Sequence, residues 1–194
     1  MEGILNLKKN DILDLTKKDP SINKIRVCAG WDVVKKGFFN FGAKDFDLDL
    51  TALLLDENNH VLKNKGLIYY GEQKGIGIML HGDNLTGSGD GDDEKITVVL
   101  NQIPAECKKI IFAVVIYEAE ARNQVFGRVK NAYVRLVDED KSDKEICRYN
   151  LSEDGGDNTG IIFAELSKQG NEWSFKAVGE LFRGSIQTLV NSYK

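Results

Sequence analysis

The chain is predicted to be mainly β, an antiparallel sandwich with a few short helices, one of them C-terminal. Three observations carry this expectation. Short segments that alternate apolar with polar residues recur from end to end, separated by turn clusters such as Asp56-Glu57-Asn58-Asn59-His60. Lys109 to Glu118 is apolar on both faces, as a strand in the middle of a packed sheet must be. Helical spacing is confined to Ala119–Gln124 and to the closing Ser185–Tyr193. At 194 residues, positions 1–194 fit one domain with a core of its own.

Taken in order, Ile4 and Leu7, then Ile12, Leu13 and Leu15, are broken by Lys8-Lys9-Asn10 and read as a short hairpin. Lys17 to Asn23, with Pro20, is a connecting loop. Ile25, Val27 and Ala29 alternate with Lys24, Arg26 and Cys28 before Gly30-Trp31-Asp32, a half-buried strand. Val33 to Lys44 is read as a loop. Phe46, Leu48 and Leu50 alternate with Asp47, Asp49 and Thr51, which sets two carboxylates on the outer face of a second strand. Gly66 to Gly71 is a short strand, and Ile76 to Leu80 leads into an acidic stretch. Beyond it, strands are expected at Lys95–Leu100, Lys109–Glu118, Val129–Asp138, Glu145–Leu151, Gly160–Ser167 and Trp173–Val178. If successive strands run up and down, Asp32, Asp45, Asp47, Asp49, Asp83, Glu94, Glu118, Glu120 and the loop at 152–158 collect at one end of the sandwich.

A net charge of −4 and a sequence pI near 5.3 argue against a nucleic-acid partner, whose backbone demands a basic surface. The first ten residues carry no apolar run behind a basic cluster, so no secretory signal is read. The longest apolar run, Ile110 to Tyr117, is too short to span a bilayer. A cytoplasmic location is expected. Cys28, Cys107 and Cys147 are far apart and sit largely in apolar strand patterns, which favours reduced, buried thiols over disulfides or a zinc site. With only His60 and His81 present, histidine-based metal sites and triads are nearly excluded.

The chemistry is concentrated in Gly82-Asp-Asn-Leu-Thr-Gly-Ser-Gly-Asp-Gly-Asp-Asp-Glu94. It holds Asp83, Asp90, Asp92, Asp93 and Glu94 with the neutral donors Asn84, Thr86 and Ser88, and neither Lys nor Arg. Two carboxylates about 5 Å apart at an effective dielectric of about 20 repel by about 3 kcal/mol, so a folded segment of this kind calls for a cation. Calcium suits it, because it takes six to eight hard oxygens in flexible geometry. The segment is no EF-hand: counting from Asp83, Glu94 falls twelfth, but Leu85, Gly87 and Ser88 stand where acidic, amide and glycine residues belong. It lacks the lysine of a phosphate-cradling loop, and the bland alternative is a solvated acidic turn.

Gly30-Trp31-Asp32, Phe46-Asp47-Leu48-Asp49 and the acidic segment, followed in order by Ile103-Pro104, Phe126-Gly127-Arg128-Val129, Arg135-Leu136, Arg148-Tyr149 and Trp173 to Gly179, closely resemble the TerD family of tellurium-resistance and stress-response proteins. The resemblance covers almost the whole chain. It implies a β-sandwich that binds calcium at one end, in cytoplasmic proteins that accompany resistance to tellurite and other chemical stress. Proteins of the same stress operon become candidate partners, and slime-mould cyclic-AMP-binding proteins look similar in this domain. Where the family reads Arg-Tyr-Asp-Leu, this chain has Asn150, a neutral donor.

The expected ligands are Asp83, Asn84, Asp90, Asp92, Asp93 and Glu94. Asp47 and Asp49 are expected to close a second site, giving two ions, with Asp32 a further candidate; their plain alternatives are a solvated strand face and a turn-forming aspartate. Trp31 and Trp173 are assigned to core packing. Lys35 to Lys44 places Phe38, Phe39 and Phe41 among three lysines, a contact for an anionic membrane surface or a protein unless the rings fold inward. The function expected is a non-enzymatic calcium-dependent scaffold or sensor in the stress response. The alternatives are a metal-dependent hydrolase, with Arg122 or Arg128 as charge stabiliser, and a cyclic-nucleotide or other small-ligand binder.

Overall fold

The computed structural model describes residues 4–33, 46–82, 91–151 and 154–194. In chain order the elements are β1 (Leu5–Leu7), β2 (Ile12–Asp14), α1 (Leu15–Lys18), β3 (Lys24–Val33), β4 (Leu48–Leu55), β5 (Leu67–Ile68), β6 (Lys74–Gly75), β7 (Ile78–His81) and β8 (Glu94–Val99). They continue with β9 (Lys109–Ile116), α2 (Ala119–Arg122), β10 (Val129–Asp138), β11 (Lys144–Asn150), β12 (Gly160–Gln169), β13 (Glu172–Phe182) and α3 (Ile186–Asn191). Among the described residues the strands form two sheets, ordered β1-β11-β10-β3-β8-β7-β6 and β2-β13-β12-β9-β4-β5. The sandwich expected from the alternating pattern is therefore present, and the strand apolar on both faces, β9, lies inside the second sheet between β12 and β4.

Every second residue of the facing strands enters the core between the sheets. Val27, Ile96, Phe112, Val134, Phe163 and Phe175 are all buried there, each fully buried aliphatic or aromatic side chain contributing roughly 1.5–3 kcal/mol. A smaller cluster lies on the opposite face of the second sheet, where Leu189 of α3 covers Leu53, Leu55, Ile111 and Ala113. The capping box of Ser185 and Thr188 starts α3 there, consistent with the C-terminal helix read from spacing.

Three expectations change. β1 and β2 form no hairpin: β1 runs parallel to β11 in one sheet, and β2 pairs antiparallel with β13 in the other. The turn between them crosses the sandwich edge because Leu7 and Leu13 both reach the inter-sheet core, and the Asn10 amide donates to the Ala177 carbonyl at 2.8 Å. The helix read over Ala119–Gln124 closes at Arg122, between Glu118 and Asn123, both in the left-handed region. Lys17 and Lys18, read as loop, close the one-turn helix α1, where the Asp19 amide donates to Leu15 O; Asp47 and Asp49 keep the outer face expected of them and are 9% and 4% exposed.

Candidate functional site

The strand registers bring one end of both sheets together. In the first sheet, Ala29 pairs with Glu94, Val33 with Val129, Tyr133 with Asn150 and His81 with Lys95. In the second, Leu48 pairs with Ile116 and Gly160 with Val115. Asp32, Asp47, Asp49, Glu94 and Glu118 thus stand at the same pole, as up-and-down alternation predicts. Asp92 and Asp93, which lead into β8, join them there.

Asp92 lies on the outer face of the first sheet. Arg135 grips it at two points, Nε to Oδ1 and Nη2 to Oδ2, both 2.7 Å, and the Tyr133 hydroxyl donates to Oδ1 at 3.0 Å. Gly30 makes room for this, since a Cβ there would lie 2.5 Å from the Tyr133 ring. Arg135 Nη1 also donates to Glu145 at 2.8 Å, and Arg148, bonded to the same Glu145, stacks 4.2 Å from the Tyr133 ring centre. Burial works to raise the Asp92 carboxyl; the hydrogen bonds from Arg135 overcome it and hold the group below the ordinary carboxylate value.

Asp93 and Glu94 turn to backbone instead. The Trp31 amide donates to Asp93 Oδ2 at 2.9 Å, and the Asp93 amide donates to Ala29 O at 2.9 Å. Burial raises the Asp93 carboxyl, and the charges of Asp32 and Asp92 add to the rise against the pull of the Trp31 amide. Glu94, only 2% exposed, points between the sheets and accepts the Leu50 amide at 2.5 Å. That amide is available because the two-residue β5 pairs only with Ala52 and Leu53 of β4. A carboxylate of one sheet thereby ties the other. Asp32 is exposed and accepts Asn131 Nδ2 at 2.7 Å, with Asn131 held at φ 50° where the β10 register shifts. Asp32, Asn131, Tyr133, Arg148 and Asn150 line a cleft of about 430 Å³ beside the pole.

Asp47 and Asp49 stand on the outer face of the second sheet. Arg122 Nη1 approaches Asp47 at 3.4 Å while its guanidinium lies 4.8 Å from the Tyr117 ring centre. Tyr70 meets Tyr117 edge to face at 5.6 Å; burial, then the neighbouring Tyr117 and Asp49 groups, raise the Tyr70 hydroxyl. Asp83, Asn84 and Asp90, and the segment from Lys35 to Lys44, lie outside the described residues. Among the described residues no three His, Cys, Asp or Glu side chains are grouped closely enough to hold a metal ion. Asp93 senses the charges of Asp32 and Asp92, Asp47 and Asp49 share the outer face of β4, and Glu94 lies inside the sandwich.

Sequence comparison matches the TerD domain to residues 4–193. The chain belongs to the TerD family. It is 41% identical over 191 residues to general stress protein 16U of Bacillus subtilis (strain 168), covering 97% of this chain and 96% of that one. It is 39% identical, with the same coverage of each chain, to the tellurium resistance protein TerD of Serratia marcescens. The crystal structure of a homologue of telluride resistance protein TerD from Streptomyces coelicolor A3(2) shares the fold at TM-score 0.70 and 17% identity, over 88% of this chain and 96% of that one. These relatives place the protein among tellurium-resistance and general stress proteins.

In this TerD chain the charge partners of the acidic residues escape a reading by composition. Arg135 lies 43 positions from Asp92. The available signal was the polar face of β10, where Tyr133 and Arg135 share one side and register with Asn150 and Arg148 of β11. The three cysteines are free and buried, as their setting predicts. Burial, reinforced by the Asp92 charge, pushes the Cys28 thiol up to about 12; burial takes Cys107 to about 11 and Cys147 to about 12. No helix among the described residues is long and apolar enough to cross a membrane.

Proposed function

We propose that this TerD-family stress protein is a non-enzymatic calcium binder, a scaffold or sensor whose stability and surface change when its acidic pole fills. The carrying observation is the convergence at one pole of carboxylates from both sheets and from the exit of the acidic segment, with Glu94 joining the sheets. The donor chemistry fits the ion: these are hard oxygens, and Asp47, Asp49 and Glu94 are buried, where a nearby divalent charge would favour their ionised form. Calcium would supply charge neutralisation and a cross-link between oxygens. Asp32, Asp47, Asp49, Asp93 and Glu94, with Asp83, Asn84 and Asp90 of the acidic segment, are the residues that would hold two ions.

The non-enzymatic reading draws support from quiet nucleophiles. All three thiols stay protonated at neutral pH, and His81 Nε2 is engaged with Thr97 Oγ1 at 2.7 Å. The reading extends to a cytoplasmic protein that meets stress-operon partners or an anionic membrane surface through Lys35 to Lys44. Liposome sedimentation tests the membrane arm, and pelleting that ignores calcium would discard it.

Calorimetry of the purified chain with calcium, magnesium, cyclic AMP and tellurite tests the whole. Heat for calcium is expected, and calcium at one hundred times its dissociation constant should stabilise the fold by about 2.7 kcal/mol, read as an upward shift in melting. Indifference to millimolar calcium would sink the proposal.

A further inference from the structure

Asp92 stands apart from its acidic neighbours. Both of its oxygens are already engaged, Oδ1 by Arg135 Nε and the Tyr133 hydroxyl and Oδ2 by Arg135 Nη2, and its side chain is 5% exposed. A divalent ion brought to these oxygens would meet the guanidinium charge directly. One residue on, Asp93 takes the Trp31 amide of β3, and the residue after that, Glu94, takes the Leu50 amide of β4. Three consecutive acidic residues thus bind three different places: the outer face of one sheet, the end of a strand in that sheet, and the facing sheet.

We infer that Arg135 is a positioning residue for the acidic pole, clamping Asp92 as a strut rather than a ligand so that Asp93 and Glu94 are fixed in place before a cation arrives. This rests on the calcium reading above. The clamp is itself braced. Glu145 accepts both Arg135 Nη1 and Arg148 Nε, and Arg148 stacks on the Tyr133 ring whose hydroxyl holds Asp92, so guanidinium, phenol and carboxylate restrain one another. Two parallel charge-assisted hydrogen bonds give direction as well as attraction, and lysine, a point charge, offers only the second. Residues that orient ligands without touching the metal characteristically set its affinity.

The test compares wild type with Arg135→Lys, Arg135→Met, Asp92→Asn and the Arg135→Met/Asp92→Asn double variant. Calcium calorimetry should show roughly tenfold to hundredfold weaker binding at unchanged stoichiometry for Arg135→Met, with Arg135→Lys between it and wild type. In the Asp92→Asn background, Arg135→Met should cost little more, because the arginine acts through that aspartate. Amide hydrogen exchange without metal adds a readout that general destabilisation would not move selectively. The Trp31 and Leu50 amides, which donate to Asp93 and Glu94, should exchange faster in Arg135→Met while Val27, in the same β3, keeps its protection. Unchanged calcium affinity in Arg135→Met, additive single effects, or uniform acceleration of exchange would overturn the positioning role while leaving calcium binding intact. A wild-type chain that takes no calcium would remove both.

Discussion

The two ends of the sandwich handle negative charge in opposite ways. At the end where β3 begins and β10 finishes, Glu139 is met by Lys24 Nζ at 2.9 Å and Arg26 Nε at 2.8 Å, and by the Thr97 hydroxyl. Lys141 bridges Asp19 and Asp138, and Arg26 reaches Asp143 at 3.3 Å. Cations belonging to the chain compensate this end. At the acidic pole Asp93 and Glu94 accept backbone amides, which orient a carboxylate without cancelling its charge, and Asp32 accepts a neutral side-chain amide. There Arg135 and Arg122 approach Asp92 and Asp47. At one end, the closed one, the chain's own cations meet Glu139, Asp138 and Asp19; at the other Arg135 and Arg122 hold Asp92 and Asp47 while backbone and side-chain amides orient Asp93, Glu94 and Asp32, an arrangement that on the calcium reading would suit a cation from solution.

Breaking each end in turn sharpens the contrast. The largest loss is expected from Glu94→Ala, which removes the tie between sheets and leaves the Leu50 amide buried without it. Roughly 3 kcal/mol should disappear in urea denaturation of the metal-free protein, and the calcium-induced rise in melting should shrink with it. A variant as stable as wild type would show that the cross-sheet bond is dispensable. Glu139→Gln attacks the closed end. The lysine and arginine facing Glu139 are 46% and 23% exposed, so solvent screening reduces the cost to about 1 kcal/mol, smaller still at high salt. Its calcium response should equal that of wild type. A weakened response would mean that the two ends are coupled and the comparison is too simple.

Much of this architecture was legible in the letters. Alternation marked β3, β4, β8, β10 and β12, the doubly apolar Lys109–Glu118 marked the inner strand β9, and up-and-down order placed Asp32, Asp49 and Glu94 at one pole. What escaped depends on register and on covering layers, which alternation does not specify. Asp47 and Asp49 lie on the outer face as expected, yet they are buried there, at the end of β4 where Arg122 reaches Asp47 and stacks on Tyr117, with Tyr70 against the Tyr117 ring. The Arg135–Asp92 clamp needs β10 to sit beside β3 at the pairing of Arg135 with Cys28. A shift of one residue would turn the arginine into the core. The Glu94–Leu50 contact is harder still to foresee, since its donor is a buried backbone amide that the short β5 does not reach.

The smallest effect isolates the closed end at its most exposed contact. The hydrogen bond from Lys141, followed by those from the Ser21 hydroxyl and amide, lowers the Asp19 carboxyl to about 2. A group whose folded value is depressed adds stability above its unfolded value and loses that contribution as pH falls through the folded one; here the window runs from about 4 down to about 2. Protonation of Asp19 in that window should release its contact with Lys141 at the closed end. In Lys141→Met the Asp19 titration, followed by carboxyl NMR, should move upward toward the ordinary aspartate value of about 3.9, and not the whole way, because the Ser21 donors remain. An unmoved midpoint would assign the depression to Ser21 alone and remove Lys141 from the set of cations that close this end.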